Sequence, residues 1–260
     1  MSAPQARLIA EDEPPPVAFD AGDGRSPFVI VCDHAGRLLP RVLGSLGLHE
    51  SELRRHIAWD IGAGAVASRL GTMLGAVVIR QNYSRLAIDC NRPPAASSSI
   101  AELSERTQIP GNCGLDAAAR RARRDEIFLP YHHRIAAELD RREAGGRPTV
   151  LVAMHSFTPV YLDVARSLHA GILYNRDRRI AGALLDLLRA EAGLAVGDNE
   201  PYALSDESDY TIPVHGEQRA LPHVEIEVRQ DLIADDAGEA VWAARLARLL
   251  PEAVRRLPAK

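Results

Sequence analysis

The chain of 260 residues is 46% hydrophobic and 25% charged, with a formal net charge of −4, a composition that suits a globular protein large enough to bury about three-quarters of its unfolded surface without a disulfide or structural metal. A sequence pI near 6.1 gives no footprint for nucleic acid, which shows as a domain pI above ~9, and no apolar run reaches the ~18–20 residues of a membrane span. The start, MSAPQARLIAEDEPPP, has no apolar stretch behind a basic one, and Cys32, Cys90 and Cys113 form no CxxC pair; a signal peptide, a disulfide framework and a zinc ribbon are excluded, which points to the cytoplasm.

Residues 1–26 are polar, acidic and Pro-rich, with Pro14-Pro15-Pro16 extended. They read as an extended N-terminal arm before a single α/β domain over 27–260. Residues 28–32 (FVIVC) form an apolar, β-branched run too short for a helix, which predicts a buried strand. Similar runs predict strands at 76–79 (AVVI), 86–90 (LAIDC), 149–154 (TVLVAM), 170–173 (AGIL) and 223–228 (HVEIEV). Helical spacing lies between them at 60–74, 117–142, 180–191 and 239–250. Pro130 predicts a break or kink near Leu129. The arginines from Arg120 to Arg124 read as a solvated helix face. Strands alternating with helices predict an α/β fold with a mostly parallel sheet covered on both faces.

In such sheets ligands gather beyond the carboxyl ends of the strands. Asp33-His34 follows the first run, Asn91-Arg92 the third and His155-Ser156 the fourth, while Glu225 and Glu227 lie within the last. Two histidines at the ends of separate buried strands suit a shared divalent metal, and imidazole nitrogen suits zinc. The third ligand should be a carboxylate. Asp60 is the candidate, although it also reads as a plain N-cap acid. Glu225 and Glu227 alternate with Val224 and Ile226, so both point to one face. Two acids there are expensive unless paired, exposed or functional; Arg229 on that face is available to pair one. A glutamate beside an activated water is the usual general base of a metallohydrolase. Arg92 and Arg85 suit a substrate carboxylate, or else structural ion pairs. His132 and His133 are adjacent on a helix, so at most one reaches a site. Cys32 and Cys90 read as packing thiols. Phosphate loops, GxGxxG, HExxH and the G-x-S-x-G elbow are absent.

The blocks DHAGRLLP, HIAWDIGA, YSRLAIDCNRP, PYHHRI, MHSFTP and VEIEVRQDL, in this order from Phe28 to Leu232, resemble the N-formylglutamate amidohydrolase family, itself similar in fold to zinc carboxypeptidases and aspartoacylase-like enzymes. The resemblance implies a three-layer, zinc-carboxypeptidase-like α/β sandwich with a mixed sheet and one divalent metal, zinc by preference. It implies His34 and His155 as metal ligands. It implies that Asn91 and Arg92 bind the substrate carboxylate; Arg85 and His132, or His133 in its place, join them as substrate contacts on the reading of the residues above. Glu227 would be the catalytic glutamate, with Glu225 its rival. The HxxE pattern would need Glu at position 37, where Arg37 stands, so Asp60 takes the third ligand place. The expected reaction is metal-dependent hydrolysis of an N-acyl amide on an amino acid, N-formyl-L-glutamate giving formate and L-glutamate, by a monomer or small homo-oligomer. Another N-acyl amino acid, a peptide-like amide, or metal-free binding of an acidic ligand are the alternatives.

Overall fold

The computed structural model describes residues 7–257. In chain order the strands are β1 (Val17–Asp20), β2 (Phe28–Cys32), β3 (Val77–Gln81), β4 (Leu103–Ser104), β5 (Thr107–Gln108), β6 (Val150–Phe157), β7 (Val160–Tyr161), β8 (Val164–Ala165), β9 (Ala170–Leu173), β10 (Val196–Asp198) and β11 (His223–Arg229). The helices are α1 (Glu50–Leu53), α2 (Ala63–Leu74), α3 (Ala117–Arg123), α4 (Leu129–Ala144), α5 (Arg179–Arg189) and α6 (Asp236–Arg255). Seven strands form one sheet in the order β1-β3-β2-β6-β11-β9-β10. Pairing is parallel from β3 through β2 and β6 to β11 and between β9 and β10, and antiparallel where β1 meets β3 and β9 meets β11. The sheet is therefore mixed and mostly parallel.

Side-chain alternation sorts each strand between two cores. Phe28, Ile30, Val152, Met154, Val224 and Ile226 pack on the side of α2, α5 and α6. Val29, Val31, Leu151 and Ala153 pack on the side that holds Ile127, Tyr131, Ile135 and Leu139 of the α3–α4 region. Burying each such side chain is worth ~1.5–3 kcal/mol, and two-sided coverage is what makes these strands continuous apolar runs. The chain leaves β2 through α2 to β3 on one flank and returns through α4 to β6 on the other. The carboxyl end of β2 is thus the point where the winding reverses, the usual place for a ligand crevice in an open α/β sheet.

Four local expectations change. The described part of the 1–26 stretch is tied into the sheet: β1 pairs with β3, and Leu8 and Ile9 are buried, their N–H groups donating to Glu126. Residues 86–90 form no strand. The Ser84 hydroxyl accepts the Leu86 N–H and the Asp89 carboxylate accepts that of Asn91, so the run folds into buried turns that satisfy its donors locally. The expected break near Leu129 is a single π-helical stretch, Arg124–Phe128, joining α3 to α4. Arg123 does not lie on a solvated face. It is 1% exposed and donates to the carbonyls of Ala87 and Gly111 and to Asn112 Oδ1. No helix among the described residues is long and apolar enough to cross a membrane.

Candidate metal centre

The carboxyl ends of β2 and β6 bring His34 and His155 together, with ring centroids 5.0 Å apart. Asp60 reaches them from the loop before α2, where its N–H donates to the His34 carbonyl at 2.9 Å. Gly62 takes φ +79, and a Cβ there would lie 2.0 Å from the Ile233 carbonyl oxygen; only glycine lets the chain turn into α2 directly after Asp60. Gly62, not Asp60, occupies the N-cap.

Ligand atoms of His34, Asp60 and His155 all lie within 4.8 Å of one another. Asp60 Oδ2 stands 2.9 Å from His155 Nδ1 and 3.4 Å from His34 Nδ1. On the far side of each ring a second carboxylate waits: His34 Nε2 meets Asp89 Oδ1 at 2.7 Å and His155 Nε2 meets Asp33 Oδ2 at 3.0 Å. An ionised carboxylate only accepts, so each outer acid draws a ring proton to Nε2, and Asp60 faces each Nδ1 across a gap that a second proton or a metal ion must fill. A lone pair opposite a carboxylate oxygen at 2.9 Å is repulsive unless positive charge lies between them. The same demand appears as acid–base behaviour. Burial works against protonation of His155, yet Glu225, Asp33 and Asp60 hold its pKa well above the ordinary range. Asp33, despite burial, is held at about 2 by His155, His34 and Thr211. Two imidazoles and one carboxylate, each imidazole backed by an outer acid, are a donor set that can hold a divalent metal ion. The residues present fit a divalent ion.

Glu225 and Glu227 occupy the same sheet face, Glu227 in register with His155. Arg229 neutralises neither, because it pairs with Asp231 and donates to the carbonyls of Arg166 and Leu168. The Oε2 atoms of both glutamates are buried without a hydrogen-bond partner. Burial pushes each carboxyl up to about 8, against the pull of His155. Glu225 Oε2 lies 3.8 Å from His155 Nε2, the ring edge that also meets Asp33, whereas the charges of Asp60 and Arg85 bear on Glu227. These groups open into a cavity of about 540 Å³. On β9, Gly171 is in register with Glu227 and shares its face; a Cβ there would meet the Glu200 carbonyl oxygen at 2.1 Å, so the 199–201 loop lies flat on the sheet beside the glutamate.

The remaining expected residues fall in different places. Arg85 lines the cavity, but its guanidinium is engaged by Asp89 at 2.7 Å and Asp60 at 3.3 Å; it braces two acids of the centre. Arg92 also lines it, 3.3 Å from Asp209. The Asn91 amide oxygen accepts the N–H groups of Tyr210 and Thr211, which fixes the 209–211 segment. His132 is buried behind the site. Its Nε2 donates to the Cys90 carbonyl at 2.8 Å, its Nδ1 accepts from His215 Nε2 at 3.0 Å, and it does not line the cavity. Arg37 lies outside, beside Glu50 and over Trp59. Cys32 and Cys90 are buried and burial pushes both thiols up. Sequence reasoning gave no role to Asp33 and Asp89, although each sits in a quoted block beside a residue that was singled out.

The family profile of N-formylglutamate amidohydrolase matches residues 26–234. Among solved structures, a gene product of Agrobacterium tumefaciens is 39% identical, with a TM-score of 0.92 over 96% of this chain and 98% of that one. An N-formylglutamate amidohydrolase from Ralstonia eutropha is 19% identical, with a TM-score of 0.67 over 92% of this chain and 97% of that one. No curated protein sequence matches the chain.

Proposed function

The chain belongs to the N-formylglutamate amidohydrolase family, and from that premise we propose that it is a metal-dependent hydrolase of N-acyl amino acids, with N-formyl-L-glutamate the substrate of choice. The observation that carries this reading is the convergence of His34, Asp60 and His155, each imidazole backed by a second carboxylate, beside two glutamates with unpartnered oxygens. His34 Nδ1, His155 Nδ1 and an Asp60 oxygen would hold the ion. A divalent ion in that place supplies Lewis-acid polarisation of an amide carbonyl and acidifies water.

The chain's own residues account for the proton and the substrate. Glu227 takes a proton from the attacking water and delivers it to the amide nitrogen as the C–N bond breaks, releasing formate and L-glutamate. Its buried position keeps a carboxyl near neutrality, where base and acid forms are both accessible. Glu225, deeper beside Asp33, maintains the field around His155. Arg92, at the cavity wall, binds the carboxylate next to the scissile bond.

Elemental analysis of protein purified without chelator, followed by an N-acyl amino acid panel, tests the reading. About one zinc per chain is expected in the wild type and loss of it in His155→Ala. Glu227→Gln should keep the metal and lose ~10²–10⁴-fold in kcat, the usual contribution of general base catalysis. A Glu227→Gln enzyme within tenfold of wild type transfers the role to Glu225. A chain that takes up no zinc even when supplied with it is instead a binder of acidic ligands.

A further inference from the structure

The cations around the cavity are not equally free. Arg85 is held by Asp60 and Asp89, Arg92 lies against Asp209, and Arg55 pairs with Glu52 and Glu105. Arg166 forms no ion pair with a carboxylate among the described residues. Its guanidinium instead lies over the rings of Phe157, Tyr161 and Tyr202, with centroids at 5.8, 4.9 and 5.0 Å. All three rings line the cavity. One Nη1–H goes to the Tyr202 hydroxyl at 2.8 Å. The backbone of Arg166 is fixed as well, its N–H donating to Pro159 and its carbonyl accepting from Arg229. The remaining guanidinium donors have no acidic acceptor, and the Tyr202 hydroxyl, having accepted from Arg166, retains a proton to donate.

A second observation points the same way. His56 lines this cavity, and its Nε2 is buried with no hydrogen-bond partner. Glu105 Oε2, at 3.7 Å, is too far to hydrogen-bond. His56, Tyr202 and Glu227 line the same cavity, and Arg166 is tied to it through the Tyr202 hydroxyl. A fixed fork, a phenol and an orphaned imidazole thus stand at one cavity, where the rings of Tyr161 and Tyr202 stay partly open to solvent and a carboxylate can accept charge-assisted hydrogen bonds.

We propose that Arg166, His56 and Tyr202 form an anionic subsite that takes the side-chain carboxylate of the substrate, leaving the other carboxylate to Arg92. The assignment rests on the N-acyl amino acid hydrolase reading and names its specificity. A substrate with two carboxylates needs two cationic contacts. Arg166, which is not itself a lining residue but lies over three rings that are, has no acidic partner among the described residues.

Zinc-loaded enzyme should show Arg166→Gln raising KM for N-formyl-L-glutamate about 10–100-fold, with a smaller change in kcat, as expected for a lost charge-assisted pair. KM for N-formyl-L-glutamine should hardly move. Arg166→Lys should recover part of the loss, and Tyr202→Phe, which removes a single hydroxyl, should shift KM in the same direction by less. Equal shifts for both substrates, or none, overturn the subsite while leaving the hydrolase reading intact. Calorimetry with L-glutamate and L-glutamine reads the subsite without turnover. A preference for glutamate that Arg166→Gln abolishes supports it even if the wild type hydrolyses neither amide; a wild type without that preference overturns it.

Discussion

Asp33 and Asp89 shape the centre from the outer edges of the two histidine rings, and of the two Asp89 also lines the cavity. Each fixes the tautomer of one histidine by accepting from Nε2, which leaves Nδ1 to face Asp60. Outer carboxylates of this kind typically contribute 10–100-fold to metal affinity. Asp33→Asn is therefore expected to weaken zinc binding by about 10–100-fold while leaving the fold intact, measured by competition with a chromophoric chelator. An unchanged affinity would reduce Asp33 to packing and to its bond from Thr211. The two histidines were legible in sequence because each ends an apolar run. The outer acids were not, because their partners lie 122 and 55 residues away, and a lone Asp beside a His carries no local sign of what it faces. Arg166 was hidden for a related reason: Phe157 and Tyr161 are near it in sequence, but Tyr202, which takes its hydrogen bond, is 36 residues away and only the folded chain joins them.

At the scale of elements, burial on both faces is what the sequence states most clearly. The runs 28–32, 170–173 and 223–228 all became strands because every residue in them is apolar or faces a crowded interior. The run 86–90 is equally apolar and failed as a strand. Burial alone does not make a ladder when Ser84 and Asp89 hold the backbone in turns. β1 escaped notice for the opposite reason: it is a half-exposed edge strand, without the continuous apolar run of a central one. Arg123 shows how a helix can hold a long irregular segment. From α3 it holds three oxygens of the 87–112 region. Arg123→Ala would leave those acceptors without a donor and is expected to lower stability by about 2–3 kcal/mol in urea unfolding. Arg123→Lys should rescue little, since one ammonium lacks the planar fork that spans all three. A variant as stable as wild type would show that water replaces the guanidinium.

Over the whole molecule, acid sensitivity should exceed what the metal centre alone imposes. Burial holds His132 at about 4 and His215 at about 3, so both are neutral in the fold while an unfolded chain takes up their protons near the ordinary value of about 6.5. Their pKa values are depressed on folding. The stability they support is complete above pH 6.5 and is lost as pH falls through 6.5 toward 4 and 3, by up to about 1.4 kcal/mol per group per pH unit. Tm measured from pH 7 to 5 should fall, and it should fall less steeply in His132→Gln than in wild type. Identical slopes would show that the pair does not titrate on unfolding. The two short hairpins β4–β5 and β7–β8 lie outside the seven-stranded sheet, joined across the cavity mouth by the Leu162 N–H to Glu105 and by the Arg106–Asp163 pair at 2.7 Å. His34, His155, Glu225 and Glu227, by contrast, belong to the main sheet or its strand ends. The groups proposed for the chemistry and the hairpins at the entrance are thereby carried by separable parts of the chain. Exchanging hairpins would resize the entrance while the reacting groups stay fixed, so altered substrate range is within reach of loop grafting alone.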